Sequence, residues 1–169
     1  MAQASDSPVV GVLMGSLSDW PTVEHGIRIL EELGVPYEAN VMSAHRTPDE
    51  ALEYASTAEA RGLKVIMCAA GGAAHLAGVV SAKTLLPVLG MPMKGWSTDG
   101  LDSLLSTVQM PKGVPVASLA IGKAGCVNAA LFAVAILSLQ DPELRARYGA
   151  WRKAQSDQVR AIQLPPRSS

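Results

Sequence analysis

Two of the three histidines stand in short polar segments that follow apolar runs, and an arginine is next to one of them. His45 and Arg46 lie in Val41-Met42-Ser43-Ala44-His45-Arg46-Thr47-Pro48-Asp49-Glu50, which reads as the end of a strand, a loop and the start of a helix. Thr47 and Glu50 have the spacing of a capping box, with Pro48 as the first helical residue. That placement sets His45 and Arg46 in front of unpaired backbone N–H groups, where an anion is favoured. Arg46 can grip a phosphate or carboxylate through two parallel hydrogen bonds, and His45 supplies an imidazole for proton exchange. The plainer alternative makes Ser43 a turn residue and Arg46 a solvated cation.

Two further loops offer complementary chemistry. Gly15-Ser16-Leu17-Ser18-Asp19 supplies small hydroxyls beside a helix start, and Gly71-Gly72-Ala73-Ala74-His75 supplies accessible backbone and a second imidazole. Ser16, Ser18, Ser43 and Arg46 suit a phosphate. Asp19 suits a ribose hydroxyl, or serves only as a helix cap. Gly71, Gly72, Ala73 and Ala74 let a flat ring approach the main chain, and His75 is either a second acid–base group or a satisfied, half-buried imidazole. His25 falls off the apolar stripe of its helix and takes no role. The Gly-x-Gly-x-x-Gly and Gly-x-Ser-x-Gly spacings are absent, no Ser-His-Asp order is recognisable, and no metal-ligand spacing appears.

The elements that must position these loops follow from the apolar pattern. Strands are expected over Val9–Met14, Val35–Met42, Val65–Cys68, Pro87–Gly90 and Val114–Ala120. Between them, Pro21 opens a helix that Gly34 stops. Further helices are expected over about Thr47–Arg61, Leu76–Lys83, Leu101–Val108 and Ala124–Leu139, and a last one after the Asp141-Pro142 cap. The alternation predicts right-handed βαβ units and a parallel sheet of about five strands. Ligands of such sheets bind beyond the carboxyl ends of the strands. If the first three strands are neighbours, Ser16, Ser18, Asp19, Ser43, His45, Arg46 and His75 share one crevice.

Composition narrows the partners. The 169 residues carry a formal charge of −1 with no long basic run, which disfavours nucleic acid. Aromatics are only 4% of the chain, so the core must be aliphatic; Trp20 and Trp96 alone could stack on a ligand near the loops, which disfavours a flavin. Cys68 and Cys126 lie in apolar runs and read as buried free thiols. Met1–Pro8 lacks the pattern of a signal peptide, and the longest apolar run, around Ala129–Leu137, is too short to span a bilayer. A soluble cytoplasmic protein without membrane contact is the expectation. It forms a single domain over 1–169, with a core over about 8–140 and a helical arm over about 142–160. Ala124–Leu139 is apolar nearly all round apart from Asn128, which calls for cover from another subunit. Leu164–Ser169 is expected to fray.

Four segments carry a family resemblance: Met14-Gly15-Ser16-Leu17-Ser18-Asp19-Trp20, Ser43-Ala44-His45-Arg46-Thr47-Pro48, Gly71-Gly72-Ala73-Ala74-His75-Leu76, and Asp102-Ser103-Leu104-Leu105-Ser106-Thr107-Val108-Gln109-Met110-Pro111. The chain resembles the bacterial 5-(carboxyamino)imidazole ribonucleotide mutase family, the catalytic subunit of phosphoribosylaminoimidazole carboxylase in de novo purine synthesis. The resemblance implies a flavodoxin-like three-layer α/β/α domain, a homo-octamer, and a C-terminal helix docked on a neighbouring subunit. It implies transfer of a carboxylate from an exocyclic nitrogen to C4 of the imidazole, by decarboxylation and recapture of CO2, with no metal or organic cofactor. ATP is used by a separate enzyme. It further implies that Ser16, Asp19 and Arg46, with Ser18 and Ser43 nearby, bind the phosphate and ribose of the ribonucleotide. His45 is the implied general acid/base. His75 and the backbone of Gly71, Gly72, Ala73 and Ala74 line the implied carboxylate or CO2 pocket.

The chain departs from the family at Ala69, where Gly is usual, at Ala77, where Pro is usual, at Val79-Val80 and over 94–99. Ala69 would be harmful only if that position needs a positive φ. The Ala73-Ala74-His75 form resembles the mutases rather than the animal carboxylases. A carboxylase taking free CO2, and a non-catalytic nucleotide- or flavin-binding module, remain as alternative expectations.

Overall fold

Val10–Met14 (β1) is buried along its whole length, as a strand with no polar alternation requires. Tyr37–Val41 (β2) and Val65–Ala70 (β3) flank it in parallel register, with Met14 opposite both Val41 and Ala69. Val88–Pro92 (β4) adds to β3, and the two-residue Ala117–Ser118 (β5) adds to β4, giving the order β2-β1-β3-β4-β5. This computed structural model describes residues 7–95 and 97–164. The stacking role considered for Trp96, residues 1–6 and the tail 165–169 lie outside the described residues.

Helices cover both faces, in the flavodoxin-like α/β arrangement expected. Trp20–Glu32 (α1) and Lys123–Leu137 (α5) lie on one face, over Val10, Val12, Met14, Val65 and Met67. They pack closely because Gly26 of α1 has no side chain: a Cβ there would lie 2.6 Å from the Cys126 carbonyl oxygen. Pro48–Thr57 (α2) and Leu76–Ser81 (α3) bury Ala51, Tyr54, Ala55, Leu76, Ala77 and Val80 against Leu13, Ile66 and Cys68 on the other face. Leu101–Val108 (α4) joins that layer beside Gly90, where a Cβ would sit 2.4 Å from Thr107 Cγ2 and 3.6 Å from Ala77 Cβ. Both cysteines are buried free thiols, and burial raises both thiol pKa values, that of Cys126 to about 12.

Element limits shift where pairing overrides local signals. β3 and β4 run on to Ala70 and Pro92, beyond the Cys68 and Gly90 ends expected, because Ala69↔Met91 and Ala70↔Pro92 continue the ladder. β5 is shorter than Val114–Ala120, being held only at Leu89↔Ala117 and Gly90↔Ser118. α2 ends at Thr57, not Arg61, and a turn follows. A 3-10 turn over Leu17–Asp19 precedes α1. Ala69 is free of positive φ, so its extra methyl carries no backbone strain.

Pro142–Arg160 (α6) starts on an Asp141 cap, with Leu144 N–H donating to Oδ1 at 2.9 Å. Leu144, Tyr148 and Trp151 pack on this chain's own α1/α5 layer, and Arg147 Nε donates to Leu33 O at 3.0 Å. Arg152–Arg160 stays exposed. No described helix is long and apolar enough to cross a membrane.

Candidate active site

Because β2, β1 and β3 are neighbours, the loops at their carboxyl ends open onto one cleft of about 680 Å³. Ser16, Ser18, Asp19, Ser43, His45, Arg46, Gly71, Gly72, Ala73 and His75 all line it. Each loop is shaped by a different device.

The first loop leaves β1 through Gly15, whose N–H donates to Ala69 O at 3.0 Å. Ser16 Oγ caps the 3-10 turn, accepting from Ser18 N at 3.3 Å and from Ser18 Oγ at 2.8 Å. Asp19 occupies the cap position of α1, yet its side chain makes no capping bond. Its carboxylate is therefore available to the cleft. Partial burial raises its pKa, and a backbone hydrogen bond from Ser16 opposes the rise.

The second loop corrects the capping box expected at Thr47. Thr47 makes no side-chain cap; its Oγ1 turns back, accepting from Ser43 N at 2.9 Å and donating to Ser43 O at 3.2 Å. A hydroxyl that finds a backbone partner four residues upstream is not available to the first turn of the helix. Ser43 is then both turn residue and cleft wall: its Oγ accepts from His45 N at 3.4 Å, Arg46 N at 3.3 Å and Arg46 Nε at 3.4 Å. Arg46 is not a free solvated cation, since Nη2 donates to Gly15 O at 2.7 Å and ties the second loop to the first.

The third loop meets the second through its imidazole. His45 Nε2 and His75 Nδ1 are 2.8 Å apart, with ring planes at 85°. One nitrogen must donate and the other accept, so the tautomers of the two rings are coupled. Gly72 turns the loop at φ 66°, and His75 N donates to Ala73 O at 2.9 Å.

A fourth wall, from Lys94, Gly95, Ser97 and Asp102, was not read from the sequence. The Thr98 hydroxyl, then the Ser103 N–H, lower the Asp102 pKa. Lys94 Nζ pairs with Asp99 Oδ1 at 3.0 Å, both well exposed, so the pair contributes little stability. Asp102 opens one of the four motifs, but nothing in its local sequence points it to the cleft; Lys94 lies in the divergent 94–99 segment. Among the described residues, no group of three or more His, Cys, Asp or Glu is placed to hold a metal ion. The arrangement combines a guanidinium with small hydroxyls, a carboxylate, two hydrogen-bonded imidazoles and a wall of small residues.

The model of the AIR carboxylase family matches residues 9–158. The N5-carboxyaminoimidazole ribonucleotide mutase of Bacillus subtilis is 61% identical over 137 residues, covering 81% of this chain and 85% of that one. The protein of that name from Escherichia coli K12 is 52% identical over 159 residues, 94% of each chain. The crystal structure of Treponema denticola PurE superposes with a TM-score of 0.81 at 28% identity, covering 90% of this chain and 94% of that one.

Proposed function

The chain belongs to the AIR carboxylase family, and from that membership we propose that it catalyses the N5-carboxyaminoimidazole ribonucleotide mutase reaction of purine biosynthesis. A carboxylate moves from the exocyclic nitrogen to C4 of the imidazole. The observation that carries the residue roles is the 2.8 Å contact between His45 and His75, which sets a proton carrier against the small-residue wall.

In this reading the phosphate lies against the Arg46 guanidinium and the Ser16 and Ser18 hydroxyls, with Ser43 holding Arg46 in place. Asp19, free of capping duty, takes the ribose hydroxyls. The imidazole and its carboxyl group face Gly71, Gly72 and Ala73. The nitrogen–carboxyl bond breaks, its electron pair returns to nitrogen, and His45 delivers a proton there. Ring electrons at C4 then bond to the carbon of CO2, and the C4 proton passes back to His45. One proton has moved from C4 to nitrogen, and the enzyme ends as it began. CO2 has no charge to be gripped, so proximity and a water-poor wall must retain it.

His45, Arg46 and His75 are exposed in the single chain, so a closed site needs further cover. A homo-octamer in the cytoplasm, with sites where subunits meet and α6 reaching a neighbour, belongs to the same proposal. Phe132 and Leu139, at 45% and 69% exposure, and the bare Arg152–Arg160 turns support it. The direct experiment supplies N5-carboxyaminoimidazole ribonucleotide without bicarbonate and follows the C4-carboxylated isomer by ultraviolet absorbance. Conversion is expected; activity only on aminoimidazole ribonucleotide plus bicarbonate would establish a carboxylase instead. Size-exclusion chromatography with light scattering checks the octamer.

A further inference from the structure

Helix α4 is built inside out. Leu101 and Leu105 of α4 are about half exposed, while Ser103 and Thr107 are fully buried and Ser106 is half-buried. A short helix on a sheet normally turns its leucines inward. Here the inward face is a row of hydroxyls, and each one is engaged. Ser103 Oγ donates to Met93 O at 2.6 Å, which fixes the loop after β4. Thr107 Oγ1 donates to Ser103 O at 2.7 Å. Ser106 Oγ donates to Asp102 O at 2.7 Å and accepts from Ala74 N at 2.9 Å.

The Ser106 arrangement has a directional logic. A hydroxyl carries one proton and two lone pairs. The shortest acceptor, Asp102 O, takes the proton; Ser103 O at 3.3 Å and Gly72 O at 3.4 Å are more distant. A lone pair is thereby left facing the Ala74 N–H. Ala74 is 2% exposed and lies between the Gly71–Ala73 wall and His75, so its N–H has no water to turn to. Without the Ser106 oxygen, the loop must rotate that peptide to find a partner. Such a rotation moves His75 relative to His45 and opens the wall.

We propose that Ser106 is a positioning residue for the carboxyl transfer: by accepting from the Ala74 N–H, it sets the peptide that holds the 71–75 wall and His75 against the migrating group. It is not among the residues that line the cleft, and it acts through Ala74. The proposal rests on the mutase reading, and its signature is leakage. A displaced wall loses CO2 between cleavage and recapture, so part of the substrate leaves as aminoimidazole ribonucleotide.

The test measures both products for wild type, Ser106→Ala, Ser106→Cys and Ser106→Thr, with assembly checked by size. If wild type forms no C4-carboxylated isomer, the mutase reading fails before any variant is compared. For Ser106→Ala, kcat is expected to fall about 10- to 100-fold, with KM within about twofold of wild type. The ratio of decarboxylated to carboxylated product should rise about tenfold. Ser106→Cys keeps the size but is a poor acceptor; it carries the same expectation and is the variant read if the alanine form does not fold. Ser106→Thr keeps the hydroxyl and is expected to return the product ratio to within about threefold of wild type. A folded Ala or Cys variant with the wild-type product ratio overturns the proposal, whether or not kcat falls. So does an equal leak in the threonine variant.

Discussion

The two histidine loops meet at a 2.8 Å contact, yet they are held by opposite means. The His45 loop is tied mainly by its own neighbours, through bonds within four residues around Ser43, with one longer tie from Arg46 to Gly15 O. The His75 loop is tied by a helix more than thirty residues later, through Ser106 to Ala74. A locally tied loop fails when its own residues change. A remotely tied loop also fails when a distant helix shifts, and substitutions far from the cleft can then alter the chemistry.

The largest expected effect tests where the chemistry lies. His45→Asn should lower kcat by about 10³-fold, the range of general acid–base catalysis, with assembly intact. The imidazole is exposed and caps no helix, so folding does not depend on it. Turnover within tenfold of wild type would move the proton carrier elsewhere in the pair.

Gly90→Ala strikes the remotely tied loop. The new Cβ would lie 2.4 Å from Thr107 Cγ2, whose χ1 is stiff and whose Oγ1 is bonded to Ser103. α4 must move, at about 1–3 kcal/mol of stability by urea titration, and activity should fall with it. Full activity alongside that destabilisation would break the link between α4 and the 71–75 loop.

Thr47→Val strikes the locally tied loop. It removes the hydroxyl that brackets Ser43 and should cost about 1 kcal/mol in the same titration. An unchanged midpoint would mean that the Arg46–Gly15 bond alone holds the loop.

Asp19→Asn gives the smallest effect, and its sign depends on pH. Burial raises the folded-state pKa of Asp19 above the unfolded value. Below the unfolded value both states are protonated, and the variant gains nothing. As pH rises through the carboxylate range, the charged form costs the folded state more, so the advantage of Asn grows and levels off near neutrality. Thermal midpoints across that range should show this, with ribonucleotide binding weakened. A variant less stable than wild type at neutral pH would contradict it.

Much of the site was legible because its residues sit in short segments directly after apolar runs. The parallel-sheet rule puts Ser16, Asp19, His45, Arg46 and His75 at one end of the sheet, and the adjacency of β2, β1 and β3 then brings them together. The rest depends on remote contacts or on competition for a hydrogen bond. Lys94, Gly95 and Ser97 reach the cleft from the β4–α4 connection and Asp102 from the first turn of α4, and no local pattern assigns either to it. Thr47 has the right spacing for a capping box, but a nearer backbone partner at Ser43 won its hydroxyl. The expected ends of β3 and β4 fall short because a run of small residues begins at Ala69 and because Gly90 and Pro92 look like stops, until the two strands pair with each other.

The alternation of strands and helices, the polar loops that line the cleft and the aliphatic core are all local properties of the chain, because periodicity and small polar residues act over a few positions. The tertiary structure alone decided that β1 lies between β2 and β3, that Arg46 reaches Gly15, and that α4 turns its hydroxyls inward. Those outcomes depend on which backbone groups are left unpaired after the sheet has assembled. A hydroxyl facing water has many partners, whereas the buried Ala74 N–H has one, and only the folded chain brings Ser106 to it.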